Sequence, residues 1–159
     1  MLKATATLIA AALAGMKAEL DGGFCYIYAG PVPTEPGDAL NMVDDHTELA
    51  KLSVDGDGVT GLTLATPTGA VLSKNGDEWS GLIAFDGAED AETSLAPTFF
   101  RFCPSGDNGR GAVTSVRLQG TAGGPTSDAV MKLGSNLLTD NGSNTTGAAI
   151  FNVRIGSVG

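Results

Sequence analysis

The chain has 159 residues, a size that fits one ordinary domain with a single core. It carries 9 basic and 18 acidic residues, a formal net charge of −9, and such a surface repels phosphate, so we expect no direct nucleic-acid contact. Charged residues make up only 17% of the chain and glycines number 23, a combination that predicts an all-β fold with many turns.

Residues 1–22 predict an amphipathic helical arm. Their Ala-rich stretch imitates a secretory signal peptide, but it is weakly hydrophobic, Lys17 and Glu19 follow it directly, and it is too short to span a membrane. A helix places five apolar residues on one stripe: Leu8, Ile9, Leu13, Met16 and Leu20. The sequence leaves two alternatives open, since the stripe can cover an open edge or end of its own domain or reach onto a neighbouring subunit.

After Gly23, short β-like segments alternate with turn dipeptides such as Asp86-Gly87 and Asn108-Gly109. The predicted strands are residues 24–29, 48–54, 59–66, 79–85, 98–103, 115–120, 130–138 and 148–155. Two of them alternate clearly and should line the core, with inward residues Trp79, Ile83 and Phe85 in one and Ala149, Phe151, Val153 and Ile155 in the other. We therefore predict a β-sandwich domain over residues 23–159, with an eight-stranded jelly roll as one form of it.

Two loops stand out between these strands. Pro31, Pro33 and Pro36 lack the amide donors that sheet pairing requires, so residues 31–37 predict a surface loop after the first strand. Residues 140–146 are rich in Asn, Ser and Thr and predict a second exposed loop.

Residues that commonly carry catalysis are scarce. The single histidine, His46, lies in an acidic run, so we expect it on a solvated loop or strand start without a catalytic or metal role. Cys25 and Cys103 lie in apolar runs and are interpreted as buried thiols, with a mutual disulfide as the alternative. Residues 55–58 look like part of a calcium loop but lack its later ligands, which favours a tandem hairpin turn. The sequence therefore predicts a non-enzymatic protein without catalytic residues, cofactor or metal.

Three short runs in the second half of the chain form a recognisable pattern: EWSG at 78–81, TFFR at 98–101 and RLQGT at 117–121. With the N-terminal helical stretch, Tyr26-Ile27-Tyr28 and the Pro-containing turn, the pattern resembles a family of short, uncharacterised proteins encoded in phages and prophages of Gram-negative bacteria. The resemblance covers most of the chain. The acidic stretch 87–96 and the tail 155–159 depart from it, which puts any shared partner surface there in doubt.

The resemblance implies membership of a phage virion or its assembly, and the absence of a recognisable active site favours a structural protein of a tailed bacteriophage virion. We expect a capsid decoration (cement) protein that is made in the host cytoplasm and binds the major capsid protein at the capsid surface. We also expect self-association as a dimer or trimer and no nucleic-acid or membrane partner. The candidate capsid or subunit contacts are Leu8, Ile9, Leu13, Met16, Pro31, Pro33, Asn141 and Asn144. The alternative is a tail or fibre module that binds a host-surface glycan, with Tyr26 and Tyr28 as a small aromatic platform.

Overall fold

The computed structural model of the chain describes residues 4–76, 78–88 and 94–154. Within those ranges it contains the helix α1 (Ala6–Leu20) and ten strands: β1 (Phe24–Ala29), β2 (Thr47–Val54), β3 (Val71–Ser73), β4 (Trp79–Gly87), β5 (Ser94–Leu95), β6 (Phe99–Cys103), β7 (Leu118–Gly123), β8 (Met131–Leu133), β9 (Leu138–Thr139) and β10 (Thr145–Arg154). The all-β prediction is confirmed. Across the described ranges, no helix is long and apolar enough to cross a membrane.

Seven strands close into a barrel. Their order around the wall is β10-β4-β2-β1-β6-β7-β8, and β8 pairs back onto β10. β3 pairs with the end of β10, while β5 and β9 form a separate two-stranded sheet. Closure removes the free edges that two stacked sheets would leave, so the predicted sandwich or jelly roll is not confirmed.

The long strand β10 makes this closure. Residues 145–147 pair with β4, residues 148–151 pair with β8, and residues 152–154 pair with β3. A register shift between Ala148 and Ile150 interrupts the pairing with β8, and such an irregularity bends a strand and increases its twist. β10 can therefore pass from one neighbour to the next around the wall.

An aromatic cluster fills the barrel. The Phe151 ring lies 5.1 Å from Trp79, 5.6 Å from Phe100 and 6.5 Å from Phe102, measured between ring centroids, and all four residues are buried. The prediction that Trp79 and Phe151 line the core is confirmed. Ala149 is exposed because the register shift changes the alternation, and Ile155 lies outside the described residues.

Two predicted strands differ from the observed ones by more than a shift of their ends. Residues 59–66 form no strand; Leu62 and Leu64 are buried, but each belongs to an isolated bridge, to Gly23 and Lys74 respectively. The predicted strand 130–138 divides into β8 and β9, because residues 134–137 leave the sheet. Only some apolar residues of these segments are buried, since Val59 is 81% and Leu137 54% exposed, and burial does not require continuous pairing with a neighbour.

The N-terminal helix packs on the chain's own barrel. It begins where the Thr5 hydroxyl accepts a hydrogen bond from the Leu8 amide, and it ends at Asp21, whose carboxylate accepts one from the Leu64 amide at 2.8 Å. Of the predicted stripe, Ile9, Leu13 and Leu20 are buried in the same cluster as the barrel core and Met16 is half-buried. Leu8 is 62% exposed, so it lies off the buried stripe.

Replacing Leu13 with alanine is expected to lower the free energy of unfolding by about 2–5 kcal/mol, because it leaves a cavity between helix and barrel. The matched control is Leu8→Ala on the same helix, for which we expect a change within about 0.5 kcal/mol. Urea denaturation of both variants makes the comparison. Equal, small effects would show that the helix adds little to the stability of the barrel.

Candidate interaction surface

The adjacent strands β1 and β6 are buried on both faces. Cys25 and Ile27 of β1 face the barrel core with Phe100 and Phe102 of β6. The opposite face carries a second apolar cluster, formed by Tyr26, Tyr28, Leu40, Phe99 and Cys103. A barrel wall normally turns one face to solvent, so this second burial requires a cover. The cover consists of two long loops, residues 30–46 and 104–117, which we call the loop layer.

Arg101 of β6 holds the loop layer on the barrel wall. Its side chain is completely buried, and its guanidinium donates to the carbonyls of Asp38 and Gly109, both at 2.8 Å, and to the carbonyl of Glu35 at 3.4 Å. It also donates to the Gln119 side-chain oxygen at 2.9 Å. Burial and the nearby Arg117 cation lower the pKa of Arg101, but a guanidinium stays charged at neutral pH. One buried cation thus holds both loops on β6 through their main chains.

Arg117 supplies a second attachment. Its guanidinium binds the Asp107 carboxylate through two contacts of 2.6 Å and donates to the Gly111 carbonyl at 2.9 Å and the Pro36 carbonyl at 3.4 Å. The hydrogen bonds from Arg117 hold the pKa of Asp107 below its usual range. Such bidentate pairs fix geometry as well as charge, so Arg117 joins the two loops in a defined arrangement.

The third attachment lies where the loop layer meets β2. Arg110 binds the Glu48 carboxylate with contacts of 2.9 and 3.0 Å and Asp86 at 2.6 Å. Burial raises the pKa of Glu48, and the cation of Arg110 opposes that rise. The Arg110 carbonyl also accepts the Leu40 amide of the other loop at 2.8 Å. Arg110 therefore connects both loops to the barrel wall.

His46 lies beneath the loop layer, immediately before β2. We predicted a solvated position, and that was wrong: only 8% of His46 is exposed. Its Nε2 lies 2.9 Å from the Pro31 carbonyl, the Asn41 amide donates to its Nδ1 at 3.2 Å, and its ring packs edge-on against Phe99. Polar contacts at both ring nitrogens, including one of 3.3 Å from Nδ1 to the Asn41 carbonyl, fix the orientation of the ring. The acidic neighbours in sequence hid this structural role.

The two thiols lie on opposite faces of the barrel wall. Cys25 is paired with Phe102, whereas Cys103 is paired with Phe24, so their side chains point to different sides. Both are free and buried, and burial raises the pKa of Cys103 to about 12. A thiol with so high a pKa is a poor nucleophile at neutral pH. Within the described ranges, no group of three His, Cys, Asp or Glu residues could hold a metal ion.

The Asp107–Arg117 pair predicts a pH dependence. Because the folded-state pKa of Asp107 is lowered, its contribution to stability is present above the unfolded pKa of about 3.9 and is lost as pH falls through the folded value. Wild type should exceed Asp107→Asn in free energy of unfolding at neutral pH, and the difference should shrink between about pH 5 and about pH 2. Urea denaturation of both proteins across that pH range measures the difference. The other carboxylates are the same in both proteins, so their contributions to the pH dependence cancel. A difference independent of pH would contradict this account.

Each loop of the loop layer exposes an apolar side chain. Val32 is 49% exposed and Val116 is 45% exposed, one on each loop. The loops are also tied by a hydrogen bond of 3.0 Å from the Val113 amide to the Gly37 carbonyl. A side chain at Gly37 would approach the Val113 carbonyl to 2.5 Å, so this close contact requires glycine. An open cleft of about 540 Å³ lies here, lined by Gly37 and residues 112–115.

The structure separates the predicted contact residues into three places. Pro31 is exposed and Pro33 half-buried on the loop layer, and the Pro33 carbonyl accepts the Gln119 side chain at 2.8 Å. Asn141 and Asn144 are exposed on another loop, between β9 and β10, where the Asn141 side chain accepts the Asn144 amide at 2.9 Å. The helix residues form the third group: Leu8 is exposed, Met16 half-buried, and Ile9 and Leu13 are buried in the core.

Residues 55–58 form a turn at the end of β2, as predicted, but not a hairpin, since residues 59–66 form no strand. Asp57 accepts the amides of Val59 and Thr60 at 2.8 and 2.7 Å and the Thr60 hydroxyl, and these bonds lower its pKa to about 2. Its oxygens therefore serve the turn itself.

Comparison of the whole chain with models of known protein families, with curated proteins and with solved structures found no match.

Proposed function

We propose that this chain is a structural protein of a tailed bacteriophage virion and that it decorates the capsid, binding and stabilising the shell of major capsid proteins. The observation that carries the proposal is the loop layer, two long loops that three arginines fix to the barrel and that expose Val32 and Val116. The sequence resemblance to phage and prophage proteins supports the same conclusion. No catalytic step is needed for this role.

The fixed loops favour binding without a large ordering cost. Ordering flexible loops opposes association, and a surface that is already ordered in the free protein avoids that loss. Here Arg101 and Arg117 hold main-chain carbonyls of both loops, so Val32 and Val116 are presented in a defined arrangement. Many copies bound in this way stabilise the assembled shell by mass action, because they bind only the assembled state.

The charge of the chain fits a protein partner better than a nucleic acid. A net charge of −9 disfavours approach to packaged DNA and complements a basic patch on a shell protein. A dimer or trimer on the capsid surface would follow the local symmetry of the particle. This net negative charge should then affect the association rate more than the dissociation rate.

The alternative glycan-binding role loses its structural support. Binding of sugars by stacking requires exposed aromatic rings, but Tyr26 and Tyr28 lie beneath the loop layer with 8% and 0% of their surfaces exposed. Trp79 is buried in the barrel core. The predicted aromatic platform is therefore covered.

The test is binding of purified protein to phage heads that were assembled without it, measured by co-sedimentation. The double variant Val32→Glu, Val116→Glu adds two charges to the loop layer and should weaken binding at least about tenfold, a loss of about 1.4 kcal/mol. The matched control, Val59→Glu with Leu137→Glu, adds the same charge at exposed positions elsewhere and should bind normally. Unchanged binding by the first variant, or no binding by wild type, would contradict the proposal.

A further inference from the structure

The barrel wall has a gap, one strand wide, between β7 and β10, in line with the short strand β8. β8 contains only Met131–Leu133, whereas its neighbour β7 begins at Leu118 and pairs with β8 only through Ala122 and Gly123. On the other side β10 continues beyond its last pairing with β8, at Phe151, to Arg154. β7 and β10 thus both extend past the start of β8, and no described strand lies between these extensions.

The main chain of β7 is unpaired at this gap. The Ala122 amide donates to the Thr98 carbonyl across to the β6 side at 3.0 Å. Because main-chain groups alternate between the two edges of a strand, those of Leu118 and Gly120 also point to β6, and those of Gln119 point to the gap. On this edge, no described strand pairs with Gln119.

The facing edge belongs to β10. Ser73 and Val71 of β3 direct their main chains away from β10, to Ala65 and Thr68, so Leu72 pairs with Val153. By the same alternation, the main chains of Asn152 and Arg154 point to the opposite edge, toward the gap. On that edge, neither residue pairs with a described strand. Two unpaired edges therefore face each other across the missing part of β8.

The gap is a slot with an apolar lining and one free cation. It has a volume of about 380 Å³, and the apolar residues that line it are Phe100, Leu118, Gly120, Val130 and Val153. Val130 is 43% exposed, and its amide donates to the Thr121 hydroxyl at 3.1 Å. Arg154 also lines the slot and forms no ion pair within the described part of the chain. Where β8 is present, β7 and β10 are two strand spacings apart, about 9.6 Å, which is the room one strand needs.

We propose that this slot binds an extended segment of a partner protein, which continues the line of β8 between β7 and β10. The segment bonds through its main chain to Gln119, Asn152 and Arg154. Its inward side chains are apolar and contact Phe100 and Val153, and it carries a carboxylate that pairs with Arg154. Strand addition of this kind takes its affinity from main-chain hydrogen bonds and its specificity from alternate side chains. The inference rests on strand pairing alone and does not depend on a role in a virion.

The experiment uses a capped synthetic octapeptide of alternating valine and threonine with one glutamate, and hydrogen exchange of the full-length protein followed by NMR. The peptide should slow exchange of the Gln119 and Asn152 amides by about tenfold or more at saturation. In a control peptide with the same side chains, every main-chain nitrogen is methylated, so that it cannot donate to either edge and its methyl groups keep the strands apart; it should have no effect. Equal protection by both peptides, or no protection by either, would overturn the proposal.

Two variants test whether the peptide binds in the slot. Val130→Trp fills it and should abolish the protection, whereas Ile150→Trp, at a 47% exposed position on β10 that does not line the slot, should keep it. Arg154→Glu should bind a peptide with lysine in place of the glutamate more tightly than the glutamate peptide. The barrel itself should not change. If raising the concentration of the protein alone protects the same amides, a second copy is the occupant and the proposal of a different partner is wrong.

Discussion

Replacement of Arg101 by methionine is expected to lower the free energy of unfolding by about 3–5 kcal/mol. Methionine keeps much of the length of the side chain but leaves four acceptors without their donor: three loop carbonyls and the Gln119 side chain. Arg101 has no carboxylate among its hydrogen-bond partners, so its burial is costly, and loss of that burial cost offsets part of the effect. The four charge-assisted hydrogen bonds outweigh this offset, since each contributes about 1.5–3 kcal/mol.

Urea denaturation and amide hydrogen exchange together test this expectation. Exchange should accelerate most at Leu40 and Val113, whose amides bridge the two loops. Arg154→Met provides the control, since Arg154 is exposed and its removal should change stability by no more than about 0.5 kcal/mol. An Arg101→Met protein as stable as wild type, with slow exchange at both amides, would show that the loop layer does not depend on the buried cation.

The second large effect is expected at Phe151, where replacement by alanine should remove about 3–5 kcal/mol of stability. The ring contacts Trp79, Phe100 and Phe102 and is 1% exposed, so its loss leaves a large cavity at the centre of the barrel. It also lies on β10, the strand that joins β4 to β8 and closes the wall. Small domains have a net stability of about 5–15 kcal/mol, so this variant should be close to unfolding at physiological temperature.

The adjacent residue provides the control for Phe151. Ile150→Ala removes a side chain of the same strand that is 47% exposed, and we expect a change of less than about 1 kcal/mol. The midpoint of urea unfolding measures both variants, with the slope of the transition as a check that the unfolded states are comparable. Equal losses at the two positions would contradict the assignment of Phe151 to the centre of the core.

The sequence predicted the strands better than their arrangement. β1, β4 and β6 were found because their apolar residues are dense or alternate, and alternation reports which side chains are buried. Closure into a barrel depends instead on the pairing of residues 148–151 with β8, and the register shift there has no local sequence signal. The segment 59–66 shows the same limit, since Leu62 and Leu64 are buried through contacts with residues distant in sequence.

The loop layer was predicted in part. The three prolines of residues 31–37 indicated a loop, and Pro31 is exposed there. Arg101 was not recognised, although a signal exists: it lies in the run Phe99–Cys103, in which all five residues are buried. An apolar run on both faces indicates a strand that is covered twice, and a lone arginine within it must then find acceptors. Which loops supply them cannot be read from the sequence, because Asp38 and Gly109 are distant from each other in the chain.

The proposed decoration of the capsid is tested most directly by counting copies of the chain on purified particles. DNA-filled heads and intact tails would be separated, and peptide mass spectrometry would compare this chain with the major capsid protein in each fraction. We expect the chain on heads in near-stoichiometric ratio to the major capsid protein and absent from tails. A few copies on tails, or none on either fraction, would contradict the proposal.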